Sequence, residues 1–312
     1  MTFPHEWLAV GAAACWAVSS LSAAPASAHL GAFAFTRWRM VCAALLLCSL
    51  ATVQGGWASL TAPALGNPWL LLAVSGLIGI FVGDSALFAC MNRLGPRRSG
   101  VLYASHALFS VALAWAFLGE TLGGVVALGA LTLVGGVFLA IVFGKRAEEA
   151  HAWEQVKGAL WVGVALGLLS ALCQSVGTLI LKPLMAAGVD PVAASAVRML
   201  AALAAHLAFR ATGAEVAKAQ NPLNPRVLAL VAWNAALAMG LGMTLILAAL
   251  RGGSAGLVAI LSSVTPVLLL PLLWVVYKRQ PPLAAWPSAS PSSFRPTILS
   301  AIMPKIGECR RG

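Results

Sequence analysis

The chain has 312 residues, 60% of them hydrophobic and 9% charged, with a formal net charge of +11. A water-soluble protein carries about 25% charged residues, so this composition, with a mean hydropathy of +0.90, excludes an ordinary cytosolic enzyme. It fits a polytopic membrane protein, because an apolar run of about 20 residues crosses a hydrocarbon core of about 30 Å.

In chain order, nine spans are predicted: Trp7–Ala26, Phe33–Val53, Trp69–Met91, Gly100–Leu118, Leu122–Phe143, Gly158–Leu181, Val192–Phe209, Val227–Ala249 and Gly256–Tyr277. Breakers such as Asn67-Pro68, Gly95-Pro96, Lys145-Arg146 and Asn221-Pro222 separate them. The first span is not read as a cleaved leader, since no basic residue precedes it and eight spans follow. Cys15, Cys42, Cys48, Cys90 and Cys173 lie inside spans without metal-ligand spacing, so they are read as packing residues and no metal site is expected.

A charge of +11 suggests nucleic acid until the charges are located. Threaded alternately, seventeen of the twenty Lys and Arg, Arg37 and Arg39 among them, fall on one side; Lys182 and Arg251 fall on the other, and Arg198 lies within a span. This is the positive-inside bias. The expected partner is therefore the lipid bilayer of the inner membrane, crossed many times, with the basic loops cytoplasmic and the amino terminus outside.

Sliding the chain on itself by 159 positions brings Arg39-Met40 onto Arg198-Met199, Gly83 onto Gly242 and Trp115 onto Trp274; one residue less brings Cys15 onto Cys173 and Pro25 onto Pro183. A repeat of five spans has odd parity, so the second copy enters the membrane inverted. Inverted pairs enclose a midplane site and expose it alternately to the two sides. The expected fold is an all-α helix bundle of 5+5 inverted repeats, divided as 1–144, a charged linker 145–157, 158–286 and a tail 287–312. The tenth helix is doubtful, because Pro287–Pro296 is rich in Pro and Ser where an apolar span is due.

The run from Gly83-Asp84 through Asn92-Arg-Leu-Gly-Pro-Arg-Arg98, Tyr103 and His106 to Trp115-Ala-Phe-Leu-Gly-Glu120, with a degenerate second copy from Leu247 through Thr265-Pro266 to Trp274, resembles the EamA-type drug/metabolite transporter family. The resemblance covers about residues 5–286 and implies a ten-helix transporter of small metabolites such as amino acids, with no cofactor. It also implies that both termini are cytoplasmic, against the charge count. The Leu118-Gly-Glu120 ending is not repeated, for Tyr277-Lys-Arg-Gln280 stands in its place.

Ionisable groups inside spans cost a few kcal/mol, which makes them functional candidates by default. Asp84, too deep to snorkel, could bind an amine, carry a proton or simply pair with an arginine. Arg198, and Arg39 at the equivalent place, could grip a carboxylate or phosphate in bidentate fashion, while Arg39 near its span's start also suits snorkelling. Tyr103 and His106 share a helix face, and Trp16 and Gln174 hold equivalent places in the first and sixth spans. Two residues are read as structural: Glu120, accepting backbone N–H bonds at the start of the fifth helix, and Pro266, bending its span. The functional expectation is a secondary transporter that exports a small polar metabolite by alternating access. A structural or inactive protein derived from a truncated transporter ranks second. A membrane-embedded enzyme ranks third, because His5, His29, His106, His151 and His206 form no motif and no catalytic residue is assigned.

Overall fold

The computed structural model describes residues 5–61, 67–120 and 157–269, with a few single positions besides. The expected fifth span, nearly all of the linker and the whole tail, with its doubtful tenth helix, lie outside the described residues. All described elements are helical. A bilayer favours this, since a helix satisfies its own backbone groups where water is absent.

The first two spans are single helices, α1 (His5–Leu30) and α2 (Ala32–Val53). The third is composite, running α3 (Pro68–Gly76), a wide π-type turn over Leu77–Val82 and α4 (Gly83–Leu94). The fourth breaks at Ser105 between α5 (Pro96–Ala104) and α6 (His106–Leu118). Then follow α7 (Leu160–Ala186), α8 (Pro191–Ala211), α9 (Pro225–Asn234), a second π-type turn over Ala235–Gly242, α10 (Met243–Leu250) and α11 (Ala255–Ser262). Among the described residues, seven helical stretches are long and apolar enough to cross a membrane.

Several starts follow directly from the sequence. Asn67, Asp190 and Asn224 each precede a proline in the first helical turn, and their side chains accept the orphan N–H groups of Leu70, of Val192 and Ala193, and of Val227 at 2.9–3.1 Å. Two ends run further than expected. α1 continues through Pro25 to Leu30 and α7 through Pro183 to Ala186, because stopping at the proline would leave more backbone unsatisfied in lipid than the one bond proline removes.

Small residues line the inward face of the first helix, and several large apolar side chains face outward. α1 buries Ala9, Ala12, Ala13, Ala17, Ser19, Ser22, Ala23 and Ala26, whereas Trp7, Leu45, Trp115, Phe117 and Trp161 are exposed. Hydrophobicity alone cannot join helices already in lipid, so small residues that allow close backbone approach must. Gly79 and Gly177 bring the π-type turn of the third span against α7, and Gly76 lies against the backbone of Arg198 on α8.

The two halves are inverted. α1 begins beside Gly252 and Gly253, on the face where Gly56 meets Asp190 and the Lys182 ammonium donates to the carbonyls of Leu250 and Gly253 at 2.9 and 2.5 Å. α7 begins on the opposite face, where the Lys157 N–H donates to the Arg93 carbonyl at 2.8 Å. Irregularities recur in register: π-type turns in the third and eighth spans, prolines inside α1 and α7, and a break at Ser105 matched by one at Ser263-Val264. Contacts between the halves recur too. Ser75 Oγ donates to the Gly177 carbonyl at 2.7 Å, and Asn234 Nδ2, 159 positions on, donates to the Ser19 carbonyl at 2.9 Å.

Gly76 tests this packing. A Cβ there would stand 2.5 Å from the Arg198 carbonyl oxygen, so Gly76→Ala should lower the melting temperature of the detergent-purified protein by the equivalent of about 1–3 kcal/mol. Gly11→Ala, whose Cβ would meet only Leu245 at 3.5 Å, should leave it unchanged or raise it.

Candidate functional site

Charged side chains from both halves converge inside the bundle. Arg39 on α2 and Asp84 in the first turn of α4 form an ion pair, and both are buried, at 3% and 5% exposure. A second guanidinium nitrogen, Nη1, donates to Asn234 Oδ1 at 3.3 Å. The flat cation lies 4.6 Å from the Phe88 ring centre and 5.8 Å from that of Phe35, and these two rings meet edge to face at 4.6 Å. Arg39 therefore does not snorkel to the basic face as its place near the start of the span suggested. It is held by a carboxylate, an amide and two aromatic faces.

Arg198 on α8 differs. It is fully buried, and among the described residues none of its three guanidinium nitrogens has a hydrogen-bond partner. Its Nη2 lies 3.2 Å from where a Cβ on Gly79 would stand, so the absence of a side chain there makes room for it. Arg198 and Tyr103 are both close enough to Asp84 to interact with it electrostatically. Tyr103 stacks obliquely on His106 with ring centres 5.2 Å apart, although the helix breaks at Ser105 between them. Arg39, Asp84, Arg198, Tyr103 and His106 thus gather around one region.

A helix bundle built of two inverted halves and closing on buried charges matches a known family. The EamA-like transporter family model covers residues 4–142 and again 161–291. This chain is an EamA-like transporter. It is accordingly a multi-pass membrane protein that moves small molecules across a bilayer. A solved crystal structure of another protein superposes on 90% of this chain and 90% of its own, with a TM-score of 0.69 and 19% identity; at that identity the likeness concerns the fold alone. No curated protein matches the chain.

The remaining candidates of this EamA-like transporter are placed apart from the cluster or beside it. The Trp16 indole N–H donates to the Ala238 carbonyl at 3.1 Å, inside the second π-type turn, alongside the Met243 N–H that the same carbonyl accepts. Gln174, at the equivalent place on α7, is buried at 3% exposure. Pro266 sits in the turn that restarts the ninth span after Ser263-Val264, where its missing N–H leaves no bond unmade. Glu120 accepts backbone N–H bonds from the other half, Oε1 taking the Ala255 N–H at 2.8 Å and Oε2 the Gly256 N–H at 3.2 Å; the start of the fifth helix, where such bonds were expected, lies outside the described residues. Glu120 caps α11 of the other half, a pairing that sequence proximity could not reveal.

Two residues escaped the sequence reading. Asn234, at 1% exposure, bridges Arg39 to the Ser19 carbonyl; its place as a polar residue in the middle of an apolar span was the available signal, but the criterion that singled out Asp84 asked for an ionisable group. His206 is also 1% exposed, both its ring nitrogens lack a partner among the described residues, and it is flanked by Phe81 at 4.8 Å and Phe33 at 6.2 Å between ring centres.

Removing one member of a buried ion pair strands the other and costs about 3–5 kcal/mol. Arg39→Ala and Asp84→Asn should each lower the melting temperature sharply, while the double substitution Arg39→Met/Asp84→Leu, which strands no charge, should recover most of the loss. Thermal unfolding in detergent measures this, and single variants as stable as the parent would show that the pair does not form.

Proposed function

We propose that this chain is a secondary transporter that exports a small polar metabolite across the inner membrane by alternating access. The observation that supports this most directly is the buried charged cluster at the junction of the two inverted halves. Ionisable groups at such depth persist where they serve a pathway. Arg39, Asp84, Arg198, Tyr103 and His106 are assigned to the substrate pathway, with Trp16 and Gln174 as equivalent walls on α1 and α7. We place the halves at residues 1–144 and 158–286, a division that the matched segments support. The paired π-type turns and breaks supply bending points in corresponding helices of each half, as rocking requires. The face bearing Arg37, Arg93, Arg210 and Lys218 is assigned to the cytoplasm.

The reading is tested by locking each face in turn. Ser59 and Asp190 meet on one face, where the Asp190 N–H donates to Ser59 Oγ at 2.9 Å, and His29 and Asn221 on the other, where Asn221 Nδ2 donates to the His29 carbonyl at 2.8 Å. Cysteines at either pair should form a disulfide that arrests metabolite exchange in proteoliposomes, reversibly on reduction. Unimpeded exchange with both faces locked would rule out alternating access. A membrane-impermeant maleimide applied to intact cells should label a cysteine at Asp190 and spare one at Lys218. The reverse pattern would overturn the assigned orientation.

A further inference from the structure

The two halves of the cluster are unequal in a way that bears on what is carried. The 159-position repeat carries Arg39 onto Arg198, and it also carries the partners of Arg39 onto other residues. Asp84 falls on Met243, at the start of the α10 helix that packs against α8, so the second copy has a thioether where the first has a carboxylate. Asn234 falls on Ser75, whose hydroxyl is committed to the Gly177 carbonyl. Arg198 is the arginine of the repeat with no carboxylate of its own: Asp84, which it faces electrostatically, is engaged by Arg39, and among the described residues its three buried nitrogens have no hydrogen-bond partner.

The sequence supplies no replacement. Of the nine acidic residues, Asp84 alone lies within an apolar span. Glu120 caps α11, Asp190 caps α8, and Glu215 pairs with Lys218. Glu6 begins α1, while Glu148, Glu149 and Glu154 belong to the charged linker sequence and Glu308 to the tail. The buried cluster of Arg39, Asp84 and Arg198 therefore carries one positive charge in excess. A guanidinium held dry and unpaired is unfavourable by several kcal/mol, and a bidentate acceptor relieves that.

We infer that Arg198 is the docking point for the anionic headgroup, carboxylate or phosphate, of a net-anionic small metabolite, which supplies the counterion that the second copy lacks at Met243. This rests on the transporter reading above and deepens it. A substrate bearing only an amine is disfavoured, because Asp84 is already engaged by Arg39.

The experiment uses a homologous probe series with the purified full chain at constant ionic strength. The probes are 4-methylvalerate, its amide, isoamylamine and isoamyl phosphate, with short-chain phosphatidylglycerol as a lipid source of phosphate. The acid and the phosphate ester should raise the melting temperature by several degrees, whereas the amide, the amine and the lipid should not. Arg198→Leu should abolish the response and by itself raise the melting temperature of the unliganded protein. Met243→Asp, which restores a carboxylate at the repeat-equivalent position, should abolish it while Arg198 is intact. Stabilisation by the amide or amine equal to that by the acid, a response surviving Arg198→Leu, a response to the lipid alone, or no response of the parent protein to either anion would each overturn the inference. Counterflow in proteoliposomes separates the two proposals: anion binding without flux of either anion would count against the transporter reading alone, and flux indifferent to charge against the anion site alone.

Discussion

Inside a bilayer no water is available to complete a hydrogen bond, and this constraint organises the molecule. A regular helix meets it alone; a helix that widens or breaks does not. Beside two of the departures from regular helix in this chain, a side chain from the opposite half bonds to the backbone. Trp16 of α1 serves the Ala238 carbonyl in the second π-type turn. Ser175 of α7 donates to the His106 carbonyl at 2.6 Å, beside the break at Ser105. Irregular backbone and the bonds that join the halves thus lie side by side.

Much of this architecture was legible in the residues. Span positions followed from apolar run length, because lipid thickness fixes it, and the repeat followed from matches sharing one offset. Asp84, Arg198 and Arg39 stood out because charge is rare in such segments. What the sequence left open was pairing. Arg39 near the start of its span looked like a snorkelling residue, since depth depends on where the helix sits and not on how many residues precede it. Glu120 was read as a local cap, yet it reaches a helix 135 residues away. Asn234 was passed over because an amide is a weaker signal than a charge, although its bonds to Arg39 and Ser19 place it within the cluster.

Repeats of this kind begin equivalent and diverge, and the divergence shows which copy took which task. In the first half the arginine has a carboxylate, an amide and two rings around it, and these fix α2, α4 and α9 together. In the second half, among the described residues, the matching arginine has no such partners, and Gly76 and Gly79 lie against it. The first copy is tied into the bundle by its side-chain partners, whereas the second is not.

The Glu120 carboxylate grips both leading amides of α11 from the end of the fourth span, across the boundary between halves. Parting these two helices at this face would give up both bonds at once, and the sequence does not repeat the acid, since Tyr277-Lys-Arg-Gln280 stands at the matching place. The opposite face is joined by other chemistry, Arg37 donating to the Ala217 carbonyl and Asn221 to the His29 carbonyl, so a carboxylate clasps helix amides at one end and side-chain donors clasp backbone carbonyls at the other.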